Sequence, residues 1–479
     1  MSNPANTRSV SVEGAEAQQK EKGKETPKKL KRVWSERTFS TVGPGSIRGS
    51  IITLVGAALG VGSLTLPYAM SLVGIHQGIV MLFLSGGASF ISLSILKKAT
   101  ARTDAHDYAE LLYRTTGSKR ASLGIDMIIC VFCFGSLCTF FIFFGDFCPA
   151  VVQPLPLPEF MKERGFVLVF FALAVMPLTQ LDKISMFRGL ASLPVVASLL
   201  FTGCMGFFAR ENFQRAVESG LELFFFRLDV LMTLKANSIF LFAFFQHISA
   251  VFVAYELVSP SDLRVEKTVG RAIWTEIAIY IPLAVFGYLS FLSSTEGNVS
   301  RNYPMDSIPF LVCRLLFCLA LMVCVPLRSY AAANSAVSLA WKWGILPGSP
   351  APSVGTTGAM RGGDEERALV GVTPGEEEEQ RKRAMSRGRR SLGPLFLLGA
   401  LMVGLRVRQV AEVVALLSAL LATTIMISGP LGIFLCSLRN GTAGVGTGVA
   451  VFVVVYLSVF ALLGYTQALV TVAQGFGWL

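Results

Sequence analysis

The sequence predicts an all-α protein that crosses a membrane many times, and three observations carry that prediction. Of its 479 residues, 53% are hydrophobic and only 15% charged, with a mean hydropathy of +0.59, a balance foreign to soluble domains. Eleven apolar runs approach the roughly 20 residues a helix needs to cross a bilayer. Basic residues gather in alternate connections, as positive-inside insertion requires. The eleven spans are expected at about 50–72, 78–97, 123–145, 166–181, 189–208, 237–257, 272–293, 308–328, 393–406, 410–436 and 448–470.

Residues 1–47 are polar and rich in lysine, without the apolar core of a secretory signal, so they are expected to form a disordered cytoplasmic tail. Lys28, Lys29, Lys31, Arg32 and Arg37 precede span one, and Lys97, Lys98, Arg102 and Arg114 follow span two. This placement accounts for much of the net charge of +11 without any nucleic acid partner. With the N-terminus inside, eleven spans put the C-terminus outside or in a lumen; Arg406 and Arg408 fall against that scheme.

Span one carries Gly56, Gly60, Gly62 and Pro67. These weaken a helix where water cannot replace its hydrogen bonds. A break over Leu59 to Leu66 would free N–H groups for a carboxylate and C=O groups for an ammonium or a cation. Close packing of neighbouring helices is the alternative use of such small residues.

After span two, Asp107 to Tyr113 reads as a short amphipathic helix on the cytoplasmic face, stopped by Gly117. Span three holds Asp126 and, in mid-helix, Cys130 and Cys133; with no second pair, these cysteines read as small buried hydrophobes. Cys148 lies near the outer end, where disulfide chemistry is open but no partner is evident. Span six contains His247, yet 238–258 has no Gly or Pro to mark a break, and Glu256 reads as an interfacial carboxylate. No carboxylate stands clearly inside a span beside the candidate site. Asn298-Val299-Ser300 is a glycosylation sequon in a loop that the charge rule places outside, so Asn298 is the candidate modified residue. Span eight holds Arg314. It is followed by a short helix over 331–343 and a disordered cytoplasmic insertion over 345–391, acidic at Glu376 to Glu379 and basic at Arg381 to Arg390, with Ser386 and Ser391 in arginine-rich surroundings.

Taken in order, these segments resemble the amino acid/auxin permease family over most of 48–474. The resemblance rests on Gly60-Val61-Gly62-Ser63-Leu64-Thr65-Leu66-Pro67-Tyr68-Ala69 in span one, Asp107-Tyr108 through Gly117, and Phe140 to Asp146 at the end of span three. Phe242-Ala243-Phe244-Phe245-Gln246-His247 in span six, Tyr280 with Gly287 to Phe291 in span seven, and Tyr303-Pro304 with Asp306 complete it. It implies a LeuT-type 5+5 inverted repeat, about 50–208 and 237–436, plus an eleventh helix at 448–470. Spans one and six would be broken near the midplane with substrate between them.

The substrate-binding candidates are therefore Gly60, Val61, Gly62 and Ser63 for the common part of an amino acid, Phe242 and Phe244 as walls, and His247 close by. His247 is one of three histidines and sits where an ionisable group is expensive, which makes it a candidate to carry or gate a proton. Sodium-coupled relatives resemble a design that completes an ion site with hydroxyls in span eight. Here Met322 and Cys324 stand there, no Ser or Thr occurs over 308–327, and Gly56, Ala57 and Ala58 occupy the corresponding part of span one. Sulfur and methyl groups suit a hard cation poorly, so no metal and no cofactor is expected.

The expected function is alternating-access transport of amino acids, sodium-independent, driven by a co-transported proton or running as exchange. The expected membrane is that of the cell surface or of a vacuole or lysosome. An amino-acid sensor signalling through its tail and loop is the alternative. The loops hold no Ser/His/Asp set, metal-ligand cluster or phosphate-binding Gly-Lys motif, which argues against an enzyme, and no selectivity filter suggests a channel.

Overall fold

The computed structural model describes residues 46–103, 105–180, 192–255, 261–345 and 374–475. The first 45 residues, most of the connection after span eight, and Glu256 lie outside them. Every regular element among the described residues is helical.

Span one is two helices, α1 (Ile47–Ala58) and α2 (Leu66–Val73), joined through a 3-10 turn at Val61–Thr65. Then follow α3 (Ile75–Thr103), α4 (Tyr108–Thr116), α5 (Lys119–Val152), α6 (Arg164–Val175, extended by a 3-10 turn to Gln180) and α7 (Leu193–Glu218). Span six is again divided, into α8 (Val230–Ala243) and α9 (His247–Tyr255). The chain continues with α10 (Asp262–Phe291), α11 (Ile308–Lys342), α12 (Pro374–Arg406), α13 (Val410–Leu417), α14 (Gly429–Arg439) and α15 (Thr447–Gly475). Two π turns, Ser418–Ala422 and Thr424–Ser428, lie between α13 and α14.

Among the described residues, eight helices are long and apolar enough to cross a membrane, nine when the bent α1–α2 pair counts as one. Their outer faces are apolar: Phe207 on α7 and Phe452, Leu462 and Leu469 on α15 are exposed. Surfaces of this kind and extent belong against lipid. The fourth expected span is the short helix Arg164–Gln180, and the ninth lies in α12, whose first half is charged.

Three boundaries differ from expectation. The helix of span eight runs on without pause to Lys342, because Ser338 and Lys342 bond to Asp126 on α5 and hold the extra turns in place. Residues 374–391, expected as disordered loop, are helical: acidic residues occupy the first turns, and Arg383 pairs with Glu379 one turn back at 2.6 Å. The break in span one is also shorter than the expected Leu59 to Leu66, since Val61–Thr65 is wound as 3-10 helix and only Leu59 and Gly60 lie outside any helix.

The short helix before span three forms as its ends dictate. Asp107 accepts a hydrogen bond from the Glu110 N–H at 2.7 Å, and Gly117 closes the helix in the left-handed region at φ 70°. Tyr108 pins it to the bundle by donating to the Ile425 carbonyl at 2.7 Å. Burial pushes that hydroxyl above its ordinary range, so it stays a neutral donor.

The spans pack as two groups. Spans three, four, eight and nine (α5, α6, α11, α12) pack on one another, and spans one, two, six and seven (α1–α2, α3, α8–α9, α10) do likewise. Span five (α7) lies against both α10 and α11.

Candidate functional site

The site begins with what glycine does to span one. α1 ends at Ala58, and Gly60 is extended at φ −108°, ψ −172°, so the axis bends by 49° between the two halves. The Gly60 carbonyl accepts from both the N–H (3.1 Å) and the hydroxyl (2.8 Å) of Ser63, and Thr65 donates to the Gly62 carbonyl at 2.6 Å. The carbonyls of Gly60 and Gly62 are therefore closed locally by Ser63 and Thr65. The opening N–H of the 3-10 turn at Gly62 has no helical acceptor before it, and no backbone bond outside the helices made by it is found among the described residues. An N–H left this way is the group that holds a carboxylate.

Span six breaks without glycine or proline. Phe244, Phe245 and Gln246 interrupt it. Its freed carbonyls are met by side chains from other helices: Tyr280 on α10 donates to the Ala243 carbonyl at 2.7 Å, and Ser89 on α3 to that of Phe244 at 3.3 Å. These donors lie far away in sequence, so nothing within 238–258 reveals the break.

The two breaks meet at one contact. A Cβ built on Gly62 would stand 2.9 Å from the Phe242 ring, whereas one on Gly60 would meet nothing within 4 Å. Phe242 in turn neighbours Phe132 (centroids 6.2 Å apart) and Phe245 (6.4 Å). Gly60, Val61, Gly62, Ser63 and Phe242 thus come together through their backbone and this ring. Phe244 does not join them. Its fully buried ring packs on Tyr280 and lies beside Gly86, because the break turns it into the seam between α3 and α10. His247 is also fully buried and turns to α3, where its Nε2 meets the Ser92 hydroxyl at 2.7 Å.

One group escaped the reading from sequence. Glu276 on α10 is fully buried, and its Oε1 accepts from Gln246 in the span-six break at 2.9 Å. A carboxyl therefore does stand inside the membrane beside the break. With the span expected from 272, Glu276 fell near its start; α10 begins at Asp262 and carries it far deeper. Among the described residues, no group of three or more His, Cys, Asp or Glu side chains assembles as a metal site.

Other polar groups anchor the frame. Arg314 donates to the carbonyls of Ser300 and Tyr303, both at 2.7 Å, and of Pro304 at 3.0 Å, fastening the loop between spans seven and eight. Asp126 pairs with Lys342 at 2.6 Å. Asn298, the expected glycan carrier, is buried, and its amide donates to Asp146 at 3.0 Å; Asp146 also pairs with Arg164 at 2.7 Å. The amide nitrogen that a glycan would occupy is thus engaged in a buried hydrogen bond. Beside this cluster lies a polar cavity of about 330 Å³, lined by Tyr68, Glu296, Arg301, Arg408, Gln409 and Glu412 among others. Tyr68, one turn past the break, also carries Lys235 over its ring, and Lys235 pairs with Glu412 at 2.5 Å.

Comparison with known proteins supplies a family and a fold. A family profile described as "Transmembrane amino acid transporter protein" matches residues 43–470. The "Putative amino acid transporter AAT1" of Toxoplasma gondii is 32% identical over 342 residues, 70% of this chain and 46% of that protein. The chain thus spans about half the length of that relative. "Vacuolar amino acid transporter 5" of Schizosaccharomyces pombe is 28% identical over 305 residues, 61% of this chain and 70% of that protein. Among solved structures, a manganese transporter of Eremococcus coleocola superposes with a TM-score of 0.52 at 11% identity, covering 90% of this chain and 87% of that one. A Na+-coupled sialic acid symporter superposes at 0.51 and 12% identity, covering 89% and 90%. At such identities these two speak for the fold alone.

Proposed function

The chain belongs to the family of transmembrane amino acid transporters, the amino acid/auxin permeases, and from that premise we propose that it moves amino acids across a membrane by alternating access without sodium. The observation that carries the proposal is the pair of broken spans meeting at Gly62 and Phe242. On this reading span one holds the substrate carboxylate through backbone N–H groups at Val61 and Gly62, and Phe242 walls the substrate side chain. Gly60 leaves open space for close approach. The polar cavity beside Tyr68, lined by charges of both signs, suits the approach of a zwitterion.

The packing supports eleven spans and an inverted repeat. Spans one and two group with six and seven, and three and four with eight and nine, as equivalent helices of two five-span halves would. Rocking of one group against the other would then expose the site alternately. Met322 and Cys324 in span eight favour drive by protons or exchange over sodium. The N-terminus is assigned to the cytoplasm, and relatives named as vacuolar favour the membrane of an acidic organelle.

The test is radiolabelled amino acid uptake into proteoliposomes at fixed pH and voltage, with choline in place of sodium. Uptake unchanged within twofold is expected. Uptake that disappears without sodium contradicts the coupling assignment.

A further inference from the structure

Glu276 is the one acidic side chain of α10 that is fully buried. Glu266, ten residues earlier on the same helix, pairs with Lys98 at a partly exposed end. Ten residues of helix rise about 15 Å, which is half the thickness of the hydrocarbon. At that depth Glu276 has one hydrogen bond, from Gln246, and no ion pair among the described residues.

The pattern of unmet atoms says more. Glu276 Oε2 and Gln246 Oε1 are both buried and both lack a partner among the described residues. Both accept when the acid is ionised, so neither can serve the other. A single proton on Oε2 turns it into a donor and makes the acid and the amide complementary on both edges. A bare carboxylate would carry an unpaired charge in hydrocarbon, the costlier state.

We propose that Glu276 takes up and releases the coupled proton, and that Gln246 ties its protonation to the break in span six. This rests on the transport reading given above. In the closed state the acid is neutral and paired with Gln246. When the groups of spans part, water reaches Oε2; the O–H bond breaks, the electron pair stays on oxygen and the proton passes to water. The carboxylate must regain a proton before the site can close again.

Titratable groups stand on each of the spans packed around Glu276, with His76 and Arg102 toward the ends of span two and Arg264, Lys267, Arg271 and Tyr288 on α10 itself. Tyr280, one turn away on α10, donates to the Ala243 carbonyl. His247 lies next to Gln246 and bonds Ser92. Span two brings the buried Lys97 and the paired Lys98, span one Arg48 and Tyr68, and span five Cys204 with Arg210, Glu211, Arg215 and Glu218 toward its end.

The experiment uses the full chain in proteoliposomes and two readouts: amino acid exchange without a pH gradient, and accumulation driven by one. The wild type is expected to do both. Glu276→Gln, which mimics the neutral acid, should keep exchange within threefold and lose accumulation at least tenfold, while Glu276→Asp should keep accumulation with a displaced pH profile. Accumulation by Glu276→Gln at the wild-type level overturns the assignment. So does joint loss of both readouts in Glu276→Gln, which marks a structural role, or loss of accumulation in His247→Gln alone. A wild type that exchanges but never accumulates under a pH gradient of either direction overturns it too. A wild type inactive in both modes instead sinks the transport reading itself.

Discussion

Gly60 and Gly62 stand two residues apart and answer to different demands. Gly62 is small because Phe242 leaves no room for a side chain, while Gly60 has an ordinary φ and open space around it. Neither has the left-handed backbone that favours glycine, so crowding by Phe242 explains Gly62 while local packing makes no such demand at Gly60. Asn298 shows the opposite case, a residue whose sequence pattern suggests one use and whose burial assigns another. It links the loop after span seven to Asp146, itself held by Arg164. Asn298→Ala is expected to lower stability by about 1–3 kcal/mol, the usual effect of leaving a buried polar group unpaired. A thermal-shift assay of the purified protein measures it, and endoglycosidase treatment of the cellular protein should leave its mobility unchanged. A mobility shift on treatment would reinstate the glycan. The sequon was legible, but burial was not, since it depends on a partner 152 residues away.

At the scale of elements, local chemistry foretold some helix ends and missed others. Asp107 and Gly117 bracket α4 as capping rules require, and the glycines of span one mark its break. Span six gave no such sign because Tyr280 and Ser89, on two other helices, satisfy its loose carbonyls. A helix can break wherever the surrounding structure replaces its bonds, and a sequence window cannot show that replacement. Glu276 was missed for a related reason: charge within the first turns of an expected span reads as interfacial until the true helix start is known. Arg314 organises the loop between spans seven and eight through three carbonyls. Arg314→Ala should destabilise the protein by at least about 1.5–3 kcal/mol, the worth of one hydrogen bond to a charged group. The same thermal-shift assay checks it, and a variant as stable as the wild type would show that the loop is held by other contacts.

For the whole molecule, apolar runs and alternating charge were enough to recognise a multi-span membrane protein, and the order of motifs enough to expect its family. The two packing groups were not legible, because partner choice among apolar helices depends on shape rather than hydropathy. Their boundary passes between span one or six on one side and span three on the other, where Phe242 meets Phe132. That places the open space beside Gly60 near the surface along which the groups would move. In the proposed transport cycle this space receives the amino acid. Equilibrium binding of the transported amino acid to purified Gly60→Val tests it most directly. The variant is expected to stay folded, since a Cβ there meets nothing within 4 Å, and to bind at least tenfold more weakly. A folded Gly60→Val protein that binds as tightly as the wild type would contradict it.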